Sequence, residues 1–137
     1  MPIRKPWSAW DNDASSRDIP GAMGVYELAD EHQQVLYIGK AGGRSPFGIR
    51  GELFRHFSTA DRLAAENWTH PEMGHVLPGL EGKVRFYRYE VTHQYYSRWI
   101  ELLTRYREDH ETLPQANLED PEQPPRLGRY HWKSEVV

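Results

Sequence analysis

The chain has 137 residues, 38 % hydrophobic and 12 % aromatic, enough for one domain whose five Trp and eight Tyr supply much of the core. It has no cysteine, which excludes a disulfide framework and a thiolate zinc site, and no apolar run near the roughly 18 residues of a membrane span. The net charge of −3 speaks against polyanion binding by the chain as a whole, and the start "MPIRKPWSAW" has no apolar signal core, so a soluble cytoplasmic protein is expected.

Residues 1–22 read as an arm, with two early prolines, the polar run "DNDASSRD" and a closing "IPG". Residues 23–29 (MGVYELA) alternate and predict a strand. "DEHQQ" is a polar turn, and residues 35–39 (VLYIG) form a second strand that pairs with the first as a hairpin. After the loop "GGRSPFG", Ser45 and Pro46 are a helix-start signal as N-cap and first helical position. That helix is expected to run to about Ser58, with a short second one over residues 59–68. Residues 83–91 (KVRFYRYEV) alternate as a third strand, with Arg85, Tyr87 and Tyr89 on one side. Residues 94–110 place Tyr95, Trp99, Leu102, Leu103 and Tyr106 at helical spacing. From residue 112 the chain is proline-rich and loop-like. The order β-β-α-(α)-β-α predicts an α+β fold, a small three-stranded antiparallel sheet flanked by helices.

Charge is unevenly placed. Residues 40–57 carry Lys40, Arg44, Arg50 and Arg55 against Glu52 alone, and residues 83–107 carry six basic side chains against Glu90 and Glu101. The acids collect in residues 11–39 and 108–137. Two basic stretches in an acidic chain are compatible with one positive face, or with charges that interleave in three dimensions.

Three features carry potential chemistry. Tyr26 and Tyr37 lie on adjacent strands, facing each other or diagonal on one face, and the glycines beside them leave space over the hydroxyls; a cross-strand packing pair is the plainer reading. Lys40, Arg50, Arg55 and His56 offer phosphate-binding groups, or else a solvated helix face. Glu101 is a hard-oxygen donor of the kind Mg²⁺ takes, but it falls opposite the apolar stripe of its helix, where an i,i+4 ion pair with Arg105 competes. His70 and His75, with Glu72 between them, match no metal-site template. Trp7, Trp10 and Trp132 are read as packing residues rather than base-stacking ones.

Taken together, "GVY" at 24–26, "YIG" at 37–39, a helix bearing Arg50 and His56, then Glu101 and Asn117 in order, resemble the GIY-YIG nuclease superfamily. The resemblance covers roughly residues 20–118. It implies an arm (1–22), a catalytic domain (23–118) and a tail (119–137), and a hydrolase that cleaves DNA phosphodiester bonds at one Mg²⁺ or Mn²⁺ ion. In that scheme Glu101 binds the metal, Tyr26 positions or deprotonates the attacking water, and Tyr37 and Arg50 hold the scissile phosphate. Lys40, Arg44, Arg55, His56 and Asn117 are further substrate-binding candidates. A phenol is a poor base at neutral pH and needs help; Lys40 and Arg50 are the local cations. Gly24 and Gly39 then read as clearance for a phosphate. The alternatives are a nucleic-acid-binding module that does not cleave and a protein-interaction domain; substrate structure and oligomeric state stay open.

Overall fold

The computed structural model describes residues 2–10, 18–43, 47–57, 80, 83–120 and 122–124, the side chains of Arg55 and Phe57 excepted. It is an α+β fold. Its strands are β1 (Ser8–Ala9), β2 (Gly24–Ala29), β3 (Val35–Ala41) and β4 (Phe86–Val91); its helices are α1 (Gly48–Phe57) and α2 (Tyr95–His110), followed by a 3-10 turn at Gln115–Glu119. The sheet is antiparallel in the order β1-β4-β2-β3.

The sheet therefore has four strands where the alternation predicted three. The extra strand comes from the arm, where Ser8 and Ala9 pair with Tyr87 and Phe86. Two residues are too few to show a period, so this strand exists only because β4 offers an open edge. The arm also buries Ile3 and Ile19.

The β2–β3 hairpin forms as expected. Asp30 closes its turn: one carboxylate oxygen accepts the N–H groups of His32 and Gln34, both at 2.9 Å, and Gln33 takes a left-handed conformation at φ 61°. These bonds, that from Gln34 foremost, hold the Asp30 carboxyl below the usual carboxylate range.

The start of α1 differs from the Ser45–Pro46 signal; those two residues lie outside the described ones, and the helix begins at Gly48. Its first N–H groups are satisfied from far away in sequence: Ile49 donates to the Ala22 carbonyl (2.9 Å) and Arg50 to that of Pro20 (3.2 Å). Gly48 sits at φ +58°, and a Cβ there would lie 2.5 Å from the Ala22 oxygen. The helix expected over 59–68, the pair His70 and His75 with Glu72, Trp132, Arg44 and the Arg55 side chain all lie outside the described residues.

Alternation along the strands divides the core between two faces. On one face Tyr26, Leu28, Tyr37 and Tyr87 pack with Ile49 and Leu53 of α1; on the other Val25, Ile38 and Ile3 pack with Trp99, Leu102 and Leu103 of α2. Trp7 and Trp10 pack the arm onto β4, Trp7 against the Arg88 guanidinium (4.0 Å) and Trp10 edge-on to Tyr87 (5.9 Å).

The outer edge of β3 is covered rather than exposed. Asn117, 1 % exposed, accepts the Ile38 N–H through Oδ1 (2.8 Å) and donates Nδ2 to the Ile38 carbonyl (2.9 Å), imitating a neighbouring strand. Trp99 Nε1 donates to the same carbonyl at 3.0 Å. Both lone pairs of that oxygen are thereby used.

Candidate active site

Tyr26 and Tyr37 are diagonal neighbours on one face of the hairpin: Tyr26 stands opposite Gly39, and Tyr37 opposite Leu28. Their rings lie 6.1 Å apart, tilted by 47°. His56 of α1 completes a triangle, 5.7 Å from the Tyr26 ring and 5.5 Å from that of Tyr37. The Tyr26 hydroxyl is 2.9 Å from His56 Nε2 and 3.3 Å from Glu52 Oε1.

That hydroxyl has one proton and two neighbours able to accept it. If His56 Nε2 is unprotonated, Tyr26 donates to it; if Nε2 carries a proton, it donates to the phenol oxygen while Tyr26 donates to Glu52. In both cases the phenol has a proton acceptor within reach. Glu52 and His56 stand together because i and i+4 share a helix face. Reading residue types in order passed over Glu52; that i,i+4 spacing to His56 was the available signal.

The two glycines do not clear space for a phosphate. A Cβ on Gly39 would overlap the ring of Tyr26, and one on Gly24 would overlap the carbonyl oxygen of Glu90. The missing side chain at 39 is the slot in which the Tyr26 ring lies. Gly39→Ala is expected to destabilise the fold by about 2 kcal/mol through overpacking, read as a lower urea midpoint.

Arg50 does not join the phenols. It lies two residues, about 200° around the helix axis, from Glu52, and its Nε donates to the Ile19 carbonyl at 2.6 Å. Lys40 points to the α2 face, its ammonium 4.6 Å from the centre of the Trp99 ring and 2.7 Å from Glu122. Asn117 is committed to the Ile38 backbone. Tyr37 donates its hydroxyl to Asp120 Oδ2 at 2.5 Å. Asp120 is a partner that sequence order did not suggest, because it lies 83 residues away.

Glu101 is set on the other helix, against the opposite face of the sheet from the phenols, with its side chain 47 % exposed. It pairs with Arg98 (3.1 Å) rather than with Arg105 as the i,i+4 spacing had suggested. Arg98 also forks onto Glu90 through bonds of 2.9 and 3.0 Å, so one guanidinium stands between two carboxylates. A divalent ion at Glu101 would compete with that guanidinium, and among the described residues no three His, Asp or Glu side chains are grouped to hold a metal. Mg²⁺, which takes only one or two protein carboxylates and keeps several waters, would have to displace the Arg98 guanidinium to reach Glu101.

Three cations of the basic stretches are engaged in the same way. Arg88 pairs with the buried Glu27 at 2.6 Å, alongside the Lys40–Glu122 and Arg98–Glu90 pairs. Glu27 and Glu122 come from outside the basic stretches and Glu90 from within one of them, so at these three positions acid and base interleave.

Residues 1–109 match the family model described as "Domain of unknown function (DUF7508)". The chain belongs to this family. The part matched to DUF7508 contains the arm strand, the hairpin, α1, β4 and nearly all of α2, and so holds Tyr26, Tyr37, Glu52, His56 and Glu101; Asn117, Asp120 and Glu122 follow it. No curated protein and no solved structure matches the chain. No helix among the described residues is long and apolar enough to cross a membrane.

Proposed function

We propose that the chain is a GIY-YIG-like hydrolase that cleaves phosphodiester bonds in DNA, with the Tyr26 phenol at the reacting centre. What supports this reading is the cluster of Tyr26, Tyr37 and His56, drawn from three separate motif segments, whose rings pack together while the Tyr26 hydroxyl lies within hydrogen-bond reach of His56 and Glu52. In the proposed reaction Tyr26 passes its proton to His56 Nε2. The phenolate takes a proton from a water, whose oxygen bonds to phosphorus. The bond from phosphorus to the leaving sugar oxygen breaks, and His56 returns its proton to that oxygen. Tyr37 donates to a non-bridging phosphate oxygen as charge builds there.

A second reading, a nucleic-acid-binding module without cleavage, has its own support. Tyr26 is 1 % exposed, and Glu101 sits across the sheet in an ion pair with Arg98. Supercoiled plasmid incubated with Mg²⁺ or Mn²⁺ separates the two. On the hydrolase reading wild type nicks the plasmid. Glu101→Ala then loses nicking if that carboxylate exchanges Arg98 for a metal, and keeps it if the ion pair is structural. An inert wild type that retards DNA with a steep salt dependence upholds the binding module. Neither nicking nor retardation leaves the protein-interaction domain.

A further inference from the structure

The segment after the 3-10 turn carries Asp120 and Glu122 to two of the groups on β3 that the resemblance assigns to phosphate. Asp120 Oδ2 accepts the Tyr37 hydroxyl at 2.5 Å, and Glu122 Oε1 accepts from Lys40 Nζ at 2.7 Å. Tyr37 and Lys40 serve opposite faces of the sheet, and Asp120 and Glu122 meet them beside the β3 edge that Asn117 covers.

The segment is held in place locally. The second oxygen of Asp120 accepts the Glu122 N–H at 2.9 Å, and Gln123 Nε2 donates to the carbonyls of Asn117 (3.1 Å) and Asp120 (2.5 Å). Asn117 in turn anchors the whole turn on Ile38. Residues 108–124 contain six Asp and Glu side chains and no Lys or Arg, so this part of the chain presents carboxylates much as a nucleic-acid strand presents phosphates.

We propose that this acidic segment is an internal strap that occupies the anion-binding groups of β3, and that a phosphate-bearing polymer must displace it to bind. The inference rests on the nucleic-acid reading above. A carboxylate and a phosphate oxygen compete for the one Tyr37 O–H, which cannot serve both at once, while Lys40, with three N–H donors, has its charge partly neutralised by Glu122. The Tyr37–Asp120 bond is the stronger restraint, being short and partly buried; Glu122 is 58 % exposed and its ion pair is screened by solvent.

The test measures binding of a fluorescein-labelled duplex oligonucleotide at fixed salt. Asp120→Asn/Glu122→Gln is compared with Glu111→Gln/Glu119→Gln, which removes the same charge from exposed positions of the same region. The strap variant is expected to bind about tenfold tighter than wild type, the scale of one charge-assisted hydrogen bond, and the control within about twofold of it. Gln123→Ala loosens the strap with no change of charge and is expected to bind about threefold tighter, a gain bulk charge does not produce. Thermal melting checks that each variant is folded; should the double variant unfold, Gln123→Ala decides. Equal gains in strap variant and control, or no gain in Gln123→Ala when it decides, overturn the strap alone. No binding by wild type or any variant overturns the nucleic-acid reading and the strap with it.

Discussion

Tyr26→Phe is expected to reduce plasmid nicking by about 10²-fold or more, the usual worth of a positioned proton-transfer group, while the protein stays folded. The substitution removes one oxygen and leaves the ring in its slot under Gly39, so packing is kept. Glu52 and His56 lose the group they share, and both are nearly buried, at 8 % and 7 % exposure. The stability cost is therefore about 1–2 kcal/mol, that of a buried hydrogen-bond partner removed, which a domain of ordinary stability survives. Nicking rates and urea melts on the same preparations check both halves. A Tyr26→Phe enzyme as fast as wild type would remove the phenol from the mechanism. Unchanged DNA binding by the same variant, with no cleavage by wild type, would leave Tyr26 as a core residue of a binding module.

Asn117→Ala is expected to cost about 3 kcal/mol, the largest loss from any polar side chain discussed. Asn117 is 1 % exposed and makes both of its described side-chain bonds to the backbone of one residue, Ile38. Alanine leaves the Ile38 N–H without its acceptor at the sheet edge and strips one of two donors from the Ile38 carbonyl, where Trp99 remains. It also frees the 3-10 turn that carries the strap. Equilibrium urea unfolding measures the loss, and amide exchange at Ile38 localises it. A change under about 1 kcal/mol would mean that water replaces the amide and that the edge is open. Asn117→Asp restores the acceptor for the N–H but turns a carboxylate oxygen toward the carbonyl, so it is expected to recover little.

Much of this architecture is legible in the linear chain because it rests on local rules. The alternating "MGVYELA" and the apolar run "VLYIG", with a polar turn between, point to the hairpin, in which both tyrosines can share one face. Helical spacing of Trp99, Leu102, Leu103 and Tyr106 dictates α2, and the same wheel places Glu101 on its solvent side. What was illegible depends on partners distant in sequence. The arm strand is too short to carry a period and forms only against β4. The entry to α1 is decided by the carbonyls of Pro20 and Ala22, which outweigh the local Ser45–Pro46 signal.

The candidate site divides along the same line. The sequence by itself determined that two phenols, a histidine and a carboxylate at i,i+4 would be available, since each follows from strand or helix periodicity. Only the tertiary structure decided which of them meet. Docking of α1 on the Tyr26 face brings Glu52 and His56 to the phenol and turns Arg50 away to Ile19. Packing of α2 on the opposite face separates Glu101 from that cluster and gives it Arg98. Closure of the β3 edge by Asn117 brings Asp120 and Glu122 to Tyr37 and Lys40. Each of these is a choice of face or edge, and a period states only that a face exists; the burial of the whole core selects what is packed against it.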